Sequence, residues 1–256
     1  MSTILKTEQD INIVREGGKR LALVLSEVAK AAKPGVKTKE LDELAEKLIR
    51  QNGDTPAFLD YTPDGSDEPY PAALCISVNN EVVHGIPGER ELMEGDIVGF
   101  DLGLKHGGFF VDSAVTVAVG KIDSKYKKLI SCTRDSLYAG IAAAKNGGRI
   151  GDISAAIEAV GKRGGYGIPR ILGGHGIGKK IHEMPYVPNY GAAGTGEKLK
   201  NGMLLAIEPI FNEGNEGVVL DRKDGYTFRT KDGMRSAHFE HTILITDTGA
   251  EIITAL

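Results

Sequence analysis

Five side chains, Asp101, Asp112, His175, Glu208 and Glu240, have the types and settings to do chemistry together. Asp101 closes the run Asp96-Ile-Val-Gly-Phe-Asp101, and Asp112 follows Gly107-Gly-Phe-Phe-Val111. Glu208 closes Met203-Leu-Leu-Ala-Ile-Glu208, Glu240 precedes Thr242-Ile-Leu-Ile-Thr246, and His175 sits among glycines. A carboxylate buried without a partner costs several kcal/mol, so acids in such settings are normally paired or coordinate a metal. The apolar runs read as strands whose ends direct the acids toward something they share. Four carboxylates and one imidazole suit two divalent ions bridged by water, the arrangement of metal-assisted hydrolysis.

The elements that must position these groups are legible from periodicity. Thr7 and Asp10 look like a helix start, and Ile11, Val14, Leu21, Val24, Leu25 and Val28 keep a helical stripe until Pro34-Gly35. A second helix is expected from about Thr38 to Asn52-Gly53, a third over roughly Ser124 to Lys145, and a fourth from about Asp152 to Lys162. Strands are expected between the helix pairs and from Tyr166 to the end. No Pro- or Ser-rich linker divides the chain, so residues 1–256 read as one catalytic domain of α/β (α+β) class.

The order also repeats. Ala32-Lys-Pro-Gly35 and its helix resemble Ala144-Lys-Asn-Gly147 and its helix, and Leu92 to Asp101 resembles Leu199 to Glu208. Asp112-Ser-Ala-Val-Thr-Val117 matches Glu240-His-Thr-Ile-Leu-Ile245, and His84-Gly-Ile-Pro87 recurs as His175-Gly-Ile-Gly178. Two helix–strand halves facing each other about a pseudo-two-fold axis would each give a pair of carboxylates to one central site.

Bulk composition excludes several function classes. With 26% charged residues and a net charge of −4, the chain has no electrostatic footprint for nucleic acid or an anionic membrane. The basic cluster Lys125-Tyr-Lys-Lys128 reads as solvated helix surface. Two distant cysteines, Cys75 and Cys132, are no disulfide framework and fit a reducing compartment. The first residues lack a signal-peptide pattern, and no apolar run approaches the roughly 18 residues that span a bilayer. The cytoplasm and a monomeric state are the expectations.

The motifs taken together resemble a known family. Asn79-Asn-Glu-Val-Val-His-Gly-Ile-Pro87, Asp101 with Asp112, Gly173-Gly-His-Gly-Ile-Gly178, His182-Glu-Met-Pro185, Ile207-Glu-Pro209 and Phe239-Glu-His-Thr242 look like type I methionine aminopeptidase over almost the whole chain. The resemblance implies the pita-bread fold: a curved antiparallel sheet flanked by two helix pairs with internal pseudo-two-fold symmetry. It implies removal of the N-terminal methionine from nascent proteins and peptides with a small second residue, by two divalent ions (Co, Mn, Fe or Zn). Asp101, Asp112, His175, Glu208 and Glu240 fall on the family's ligand positions, and His84 and His182 on its substrate-facing histidines. Glu208 would take the water's proton, His182 would bond the scissile carbonyl, and His84 would contact the peptide nitrogen. Cys75 and Tyr70 match positions lining the methionine pocket, where a thiol behaves as a small hydrophobe. Cys132 reads as helix core. Nascent N-termini, with transient ribosome contact, are the implied partners.

Departures from the family pattern concern selectivity and leave the ligands intact. Thr62 to Pro69 is longer than the usual couple of residues there. Tyr226 stands where tryptophan is common, His238 where glutamine is usual, and Val111 where glycine often precedes the second aspartate. The competing readings are prolidase or aminopeptidase P, which share the five ligands, and a non-catalytic binding protein on the same fold. The first group usually carries a large extra N-terminal domain, and the second is expected to have lost ligands and to carry basic tails.

Overall fold

The first helix begins where a threonine can cap it. Thr7 Oγ1 accepts the Asp10 N–H at 3.1 Å and donates to the Asp10 carboxylate at 2.7 Å, satisfying a donor the helix cannot. The computed structural model describes residues 3–62 and 68–255, so most of the Thr62–Pro69 segment lies outside the described residues. The first half comprises α1 (Glu8–Ala31), α2 (Thr38–Gln51), β1 (Thr55–Pro56), β2 (Cys75–Val78), β3 (Glu81–Val83), β4 (Ile97–His106) and β5 (Phe109–Ala118). The second begins with α3 (Ser124–Ala143), α4 (Ile150–Gly164), β6 (Gly173–Gly176), β7 (Glu183–Pro188) and β8 (Leu204–Ile207). It continues with β9 (Ile210–Asn212), β10 (Val218–Leu220), β11 (Phe228–Thr230), β12 (Ser236–His238), β13 (Glu240–Thr246) and β14 (Gly249–Ile252). The fourth helix starts two residues before the expected Asp152, because the Asp152 carboxylate accepts the Arg149 N–H at 2.8 Å and so caps the helix from inside its first turn.

Among the described residues the main sheet has nine strands in the order β1-β4-β5-β13-β8-β6-β7, with β2 on β4 and β14 on β13. Every pairing is antiparallel, and the sheet curls into a half-barrel. One core cluster joins α1 and α2 to β2 and β4 through residues such as Leu21, Leu41, Phe100 and Leu102. A second joins α3 and α4 to β8 and β13 through Leu137, Ile153, Leu205 and Ile243. Each such fully buried side chain contributes about 1.5–3 kcal/mol, which holds each helix pair against its half of the sheet.

The internal repeat is structural. Ala32 and Ala144 end α1 and α3 at nearly the same backbone angles, ψ 94° and 95°. Gly35 (φ +88°) and Gly147 (φ +85°) then turn the chain, and their N–H groups donate to Leu92 O at 2.8 Å and Leu199 O at 3.0 Å. One element of the expected repeat is not borne out. The partner of β6 across the pseudo-axis is β2, in which Ser77 opposite Gly99 holds the place that His175 opposite Ala206 holds in β6. His84 follows β3, outside the main sheet, so the shared His-Gly-Ile string is a coincidence of local sequence.

The halves meet along β5 and β13, where hydroxyls replace part of the backbone ladder. Thr242 Oγ1 donates to Asp112 O at 2.8 Å and accepts the Asp112 N–H at 2.9 Å. Thr116 Oγ1 does the same to His238, at 2.8 and 2.9 Å, and Ser113 Oγ donates to Glu240 O at 2.8 Å. These bonds fix the backbone of two candidate ligands. Thr242→Val keeps the shape but leaves the Asp112 N–H and C=O unpaired in a buried seam, at about 1–3 kcal/mol per group. Urea unfolding is expected to show a loss of about 2–4 kcal/mol, and a loss under about 0.5 kcal/mol, typical of a neutral surface site, would contradict the role given to the seam.

Candidate metal centre

The register decides which side chains can meet, since alternate residues of a strand face opposite sides. His106 pairs with Phe109, so Gly107 and Gly108 form a two-residue turn with φ +53° and +86°, the positive-φ hairpin that only glycine enters freely. That turn sets Asp101 opposite Ala114 and Asp112 opposite Gly103, making the two aspartates diagonal neighbours on one face. Small residues directly across leave them room. Glu240 is also opposite Ala114, on β13. His241 opposite Ile207 puts Glu208, one residue beyond β8, level with Glu240, and His175 is opposite Ala206. By parity, therefore, all five donors share one face of the sheet, while the helices pack on the other. Asp101 and Asp112 sit mid-strand, not at strand ends as expected; the apolar runs continue beyond them because β4 and β5 are core strands along their full length.

His175 needs its glycines. A Cβ at Gly174 would overlap the Ala206 carbonyl of β8, and one at Gly176 the Met184 carbonyl, so β6 fits between β8 and β7 only without side chains there. His175 Nδ1 lies 2.9 Å from Gly176 O, which can only accept. The hydrogen is thus on Nδ1, and the Nε2 lone pair is left for a cation.

The five donors line one cavity together with His84, His182, Cys75 and Tyr70, which are all the sequence-expected site residues. The cavity encloses about 570 Å³ including its open mouth. Cys75 is buried opposite Asp101 on the same face, and Tyr70 packs edge-on against Tyr226 with ring centroids 5.2 Å apart. Tyr70 Oη also donates to Gly85 O at 2.8 Å and so holds the loop carrying His84. His84 itself adopts φ +59°, a backbone conformation that costs a non-glycine residue roughly 1 kcal/mol and persists because neighbours impose it. His182 stands at the rim, edge-on to His175 with ring centroids 4.5 Å apart.

The electrostatics call for a cation. Asp112, His175 and Glu240 bring donor atoms within 4.8 Å of one another. Glu208 Oε1 is 3.6 Å from His175 Nε2, and Asp101 lies beside Asp112 across β4 and β5. Burial first, and then the other carboxylates, push Asp101, Glu208 and Glu240 well above the usual carboxylate range, and burial pushes Asp112 up to about 7. Asp101 Oδ1 and Glu240 Oε1 are buried with no hydrogen-bond partner. No lysine or arginine is among the residues lining the cavity. Four crowded carboxylates, two of them with orphaned oxygens, and a neutral imidazole fit divalent cations and little else.

Sequence reasoning missed several participants. Phe58 and Tyr61 line the cavity, and Tyr61 Oη lies 2.9 Å from His182 Nδ1. The residue found at the glutamine position, His238, is buried with Nε2 unpartnered, 3.7 Å from Glu208 Oε2, and burial pushes it down to about 3. Pattern flagged His238 only as a departure and gave no sign of its contact with Glu208, and it gave no sign of Phe58 or Tyr61, because these contacts are made across the fold; Tyr61 and His182 are 121 residues apart. Cys132 is half-buried rather than fully in the core.

Comparison with known proteins agrees with this geometry. The model of metallopeptidase family M24 matches residues 12–247. The chain is 44% identical over 251 residues to methionine aminopeptidase 1 of Bacillus subtilis, covering 98% of each, and 44% identical over 262 residues to the methionine aminopeptidase of Aquifex aeolicus, covering all of both. The solved methionine aminopeptidase of Thermotoga maritima superposes with a TM-score of 0.95 at 42% identity over the full length of both chains. A Xaa-Pro dipeptidase from Bacillus anthracis, 24% identical with a TM-score of 0.77, shares the fold, and the chain covers 62% of it.

The raised carboxylates make stability depend on pH. Between about pH 6.5, above which histidine is neutral in folded and unfolded chain alike, and about 8, the folded metal-free chain still holds carboxylate protons that the unfolded chain has released. Its stability therefore falls as pH rises through that window. A divalent ion binds the ionised form and removes the penalty. Thermal unfolding in EDTA should show Tm dropping from about pH 6.5 to about pH 8, and Mn(II) should abolish the drop. Parallel pH profiles with and without the ion would contradict the assignment.

Proposed function

The chain belongs to the methionine aminopeptidases of metallopeptidase family M24, and on that premise we propose that it removes the N-terminal methionine from peptides and nascent proteins whose second residue is small, with Asp101, Asp112, His175, Glu208 and Glu240 holding two divalent ions. The observation that carries this is the shared face: five donors from five strands or strand ends converge in a cavity that also contains two histidines and an apolar wall. The ions would supply positive charge that acidifies a water molecule and polarises the peptide carbonyl. Carboxylate and imidazole donors accept Mn(II), Fe(II), Co(II) or Zn(II).

The chain's own groups do the rest. Glu208, its carboxyl held near both His175 and His238, accepts a proton from the attacking water. The oxygen adds to the methionyl carbonyl carbon, the C–N bond to the second residue breaks, and the proton passes to the departing amine. His182 donates to the carbonyl oxygen as negative charge grows there. His84 contacts the scissile nitrogen; burial pushes its imidazole down to about 4, so it acts as a neutral group. Cys75, Tyr70, Phe58 and Tyr226 form the apolar side that suits a methionine side chain.

All five donors come from one chain, which supports activity as a monomer. Among the described residues no helix is long and apolar enough to cross a membrane. N-terminal methionine appears as chains leave the ribosome, so the setting we propose is the cytoplasm, with transient ribosome contact.

Selectivity for a small second residue follows from crowding. Glu208, His182 and the metal-binding face occupy the space its side chain must enter, and a carbonyl displaced by about 1 Å can lose roughly 10²-fold in rate. With Met-Ala-Ser, Met-Leu-Ser and Ala-Ala-Ser at saturating metal, kcat/KM for the first should exceed each of the others by about 100-fold. Comparable values for Met-Leu-Ser, or a preference for Ala-Ala-Ser, would show a broader aminopeptidase.

A further inference from the structure

Tyr61 lies on the cavity rim in a backbone segment tied by three hydrogen bonds. Asp60, just before it, adopts φ +63°, the left-handed region that costs a non-glycine residue roughly 1 kcal/mol. The Asp60 N–H donates to Tyr70 O at 2.9 Å, the Tyr70 N–H to Tyr61 O at 2.8 Å, and the Tyr61 N–H to Phe58 O at 2.9 Å. This knot delivers the phenol to His182: Oη is 2.9 Å from Nδ1, with ring centroids 5.3 Å apart. Strained backbone of this kind persists where the surroundings over-determine it, commonly beside a functional group.

We infer that Tyr61 is a positioning residue: its hydroxyl donates to His182 Nδ1, which fixes hydrogen on Nε2 and aims that N–H at the scissile carbonyl oxygen. The inference rests on the role of His182 given above. A neutral imidazole carries one N–H, so Nε2 can donate to substrate only if Nδ1 accepts. A phenol hydroxyl is a stronger acid than a neutral imidazole N–H, which favours donation from Tyr61. The contrast with His175 is instructive. There Nδ1 faces a carbonyl and must donate, freeing the Nε2 lone pair. The two rings touch edge-on, yet their partners set opposite tautomers, one for holding a cation and one for giving a hydrogen bond.

The test is a double-mutant cycle of Tyr61→Phe and His182→Ala on Met-Ala-Ser at saturating Mn(II), joined to ¹⁵N NMR of the histidine rings in metal-free protein. Tyr61→Phe is expected to lower kcat about 10- to 100-fold, as loss of a group that orients a functional histidine does. KM should stay within about twofold, and in the His182→Ala background the same change should have no further effect. The His182 Nδ1 signal should lose the character of a hydrogen-bonded acceptor in Tyr61→Phe, while the His84 and His175 signals stay in place. Unchanged turnover in His182→Ala would overturn the reading on which the inference rests. A large His182→Ala effect, combined with a change confined to KM, a fully additive double mutant or an unmoved Nδ1 signal, would overturn the inference alone.

Discussion

Four carboxylates crowded into one cavity with no lysine or arginine among its lining residues are the constraint on which the rest of the molecule depends. Their repulsion and desolvation oppose folding, and both are relieved by cations the chain does not itself contain. A protein built this way must hold its donors by force, and the rest of the fold reads as the means of doing so. Two helix pairs clamp the back of the sheet through two separate cores, and the donors sit on the opposite face. The stability of those cores sustains a strained front.

The seam between the halves shows how local the control is. Thr242 and Thr116 each bond both backbone groups of a residue across β5 and β13, and Ser113 bonds the carbonyl of Glu240. Asp112 and Glu240 therefore come from different halves and different cores, yet their backbones are tied within one or two residues of the donor atoms. An arrangement of this kind gives a cation site whose geometry is set before any ion arrives, which lowers the cost of binding.

Much of this was legible in the sequence because capping and periodicity are local. Thr7, the apolar stripes and the Gly35 and Gly147 turns disclose the helices and their repeat, and isolated acids within apolar runs disclose the candidate ligands. Register was not legible. Whether Asp101 and Asp112 share a face depends on a two-residue hairpin and on where β4 ends, and strand-length runs of apolar residues hide that end. The His84 and His175 strings misled for the same reason, since one begins within β6 and the other lies in the loop after β3. Contacts such as Tyr61 with His182 or His238 with Glu208 have no local signature, because they depend on how distant loops close over the cavity.

The most direct test of the central claim is anomalous diffraction from crystals grown with Mn(II). Two peaks about 3.5 Å apart are expected within the cavity, ligated between them by Asp101, Asp112, His175, Glu208 and Glu240. A single peak, or ions held by a different set of side chains, would contradict a dinuclear centre built on one face of this sheet.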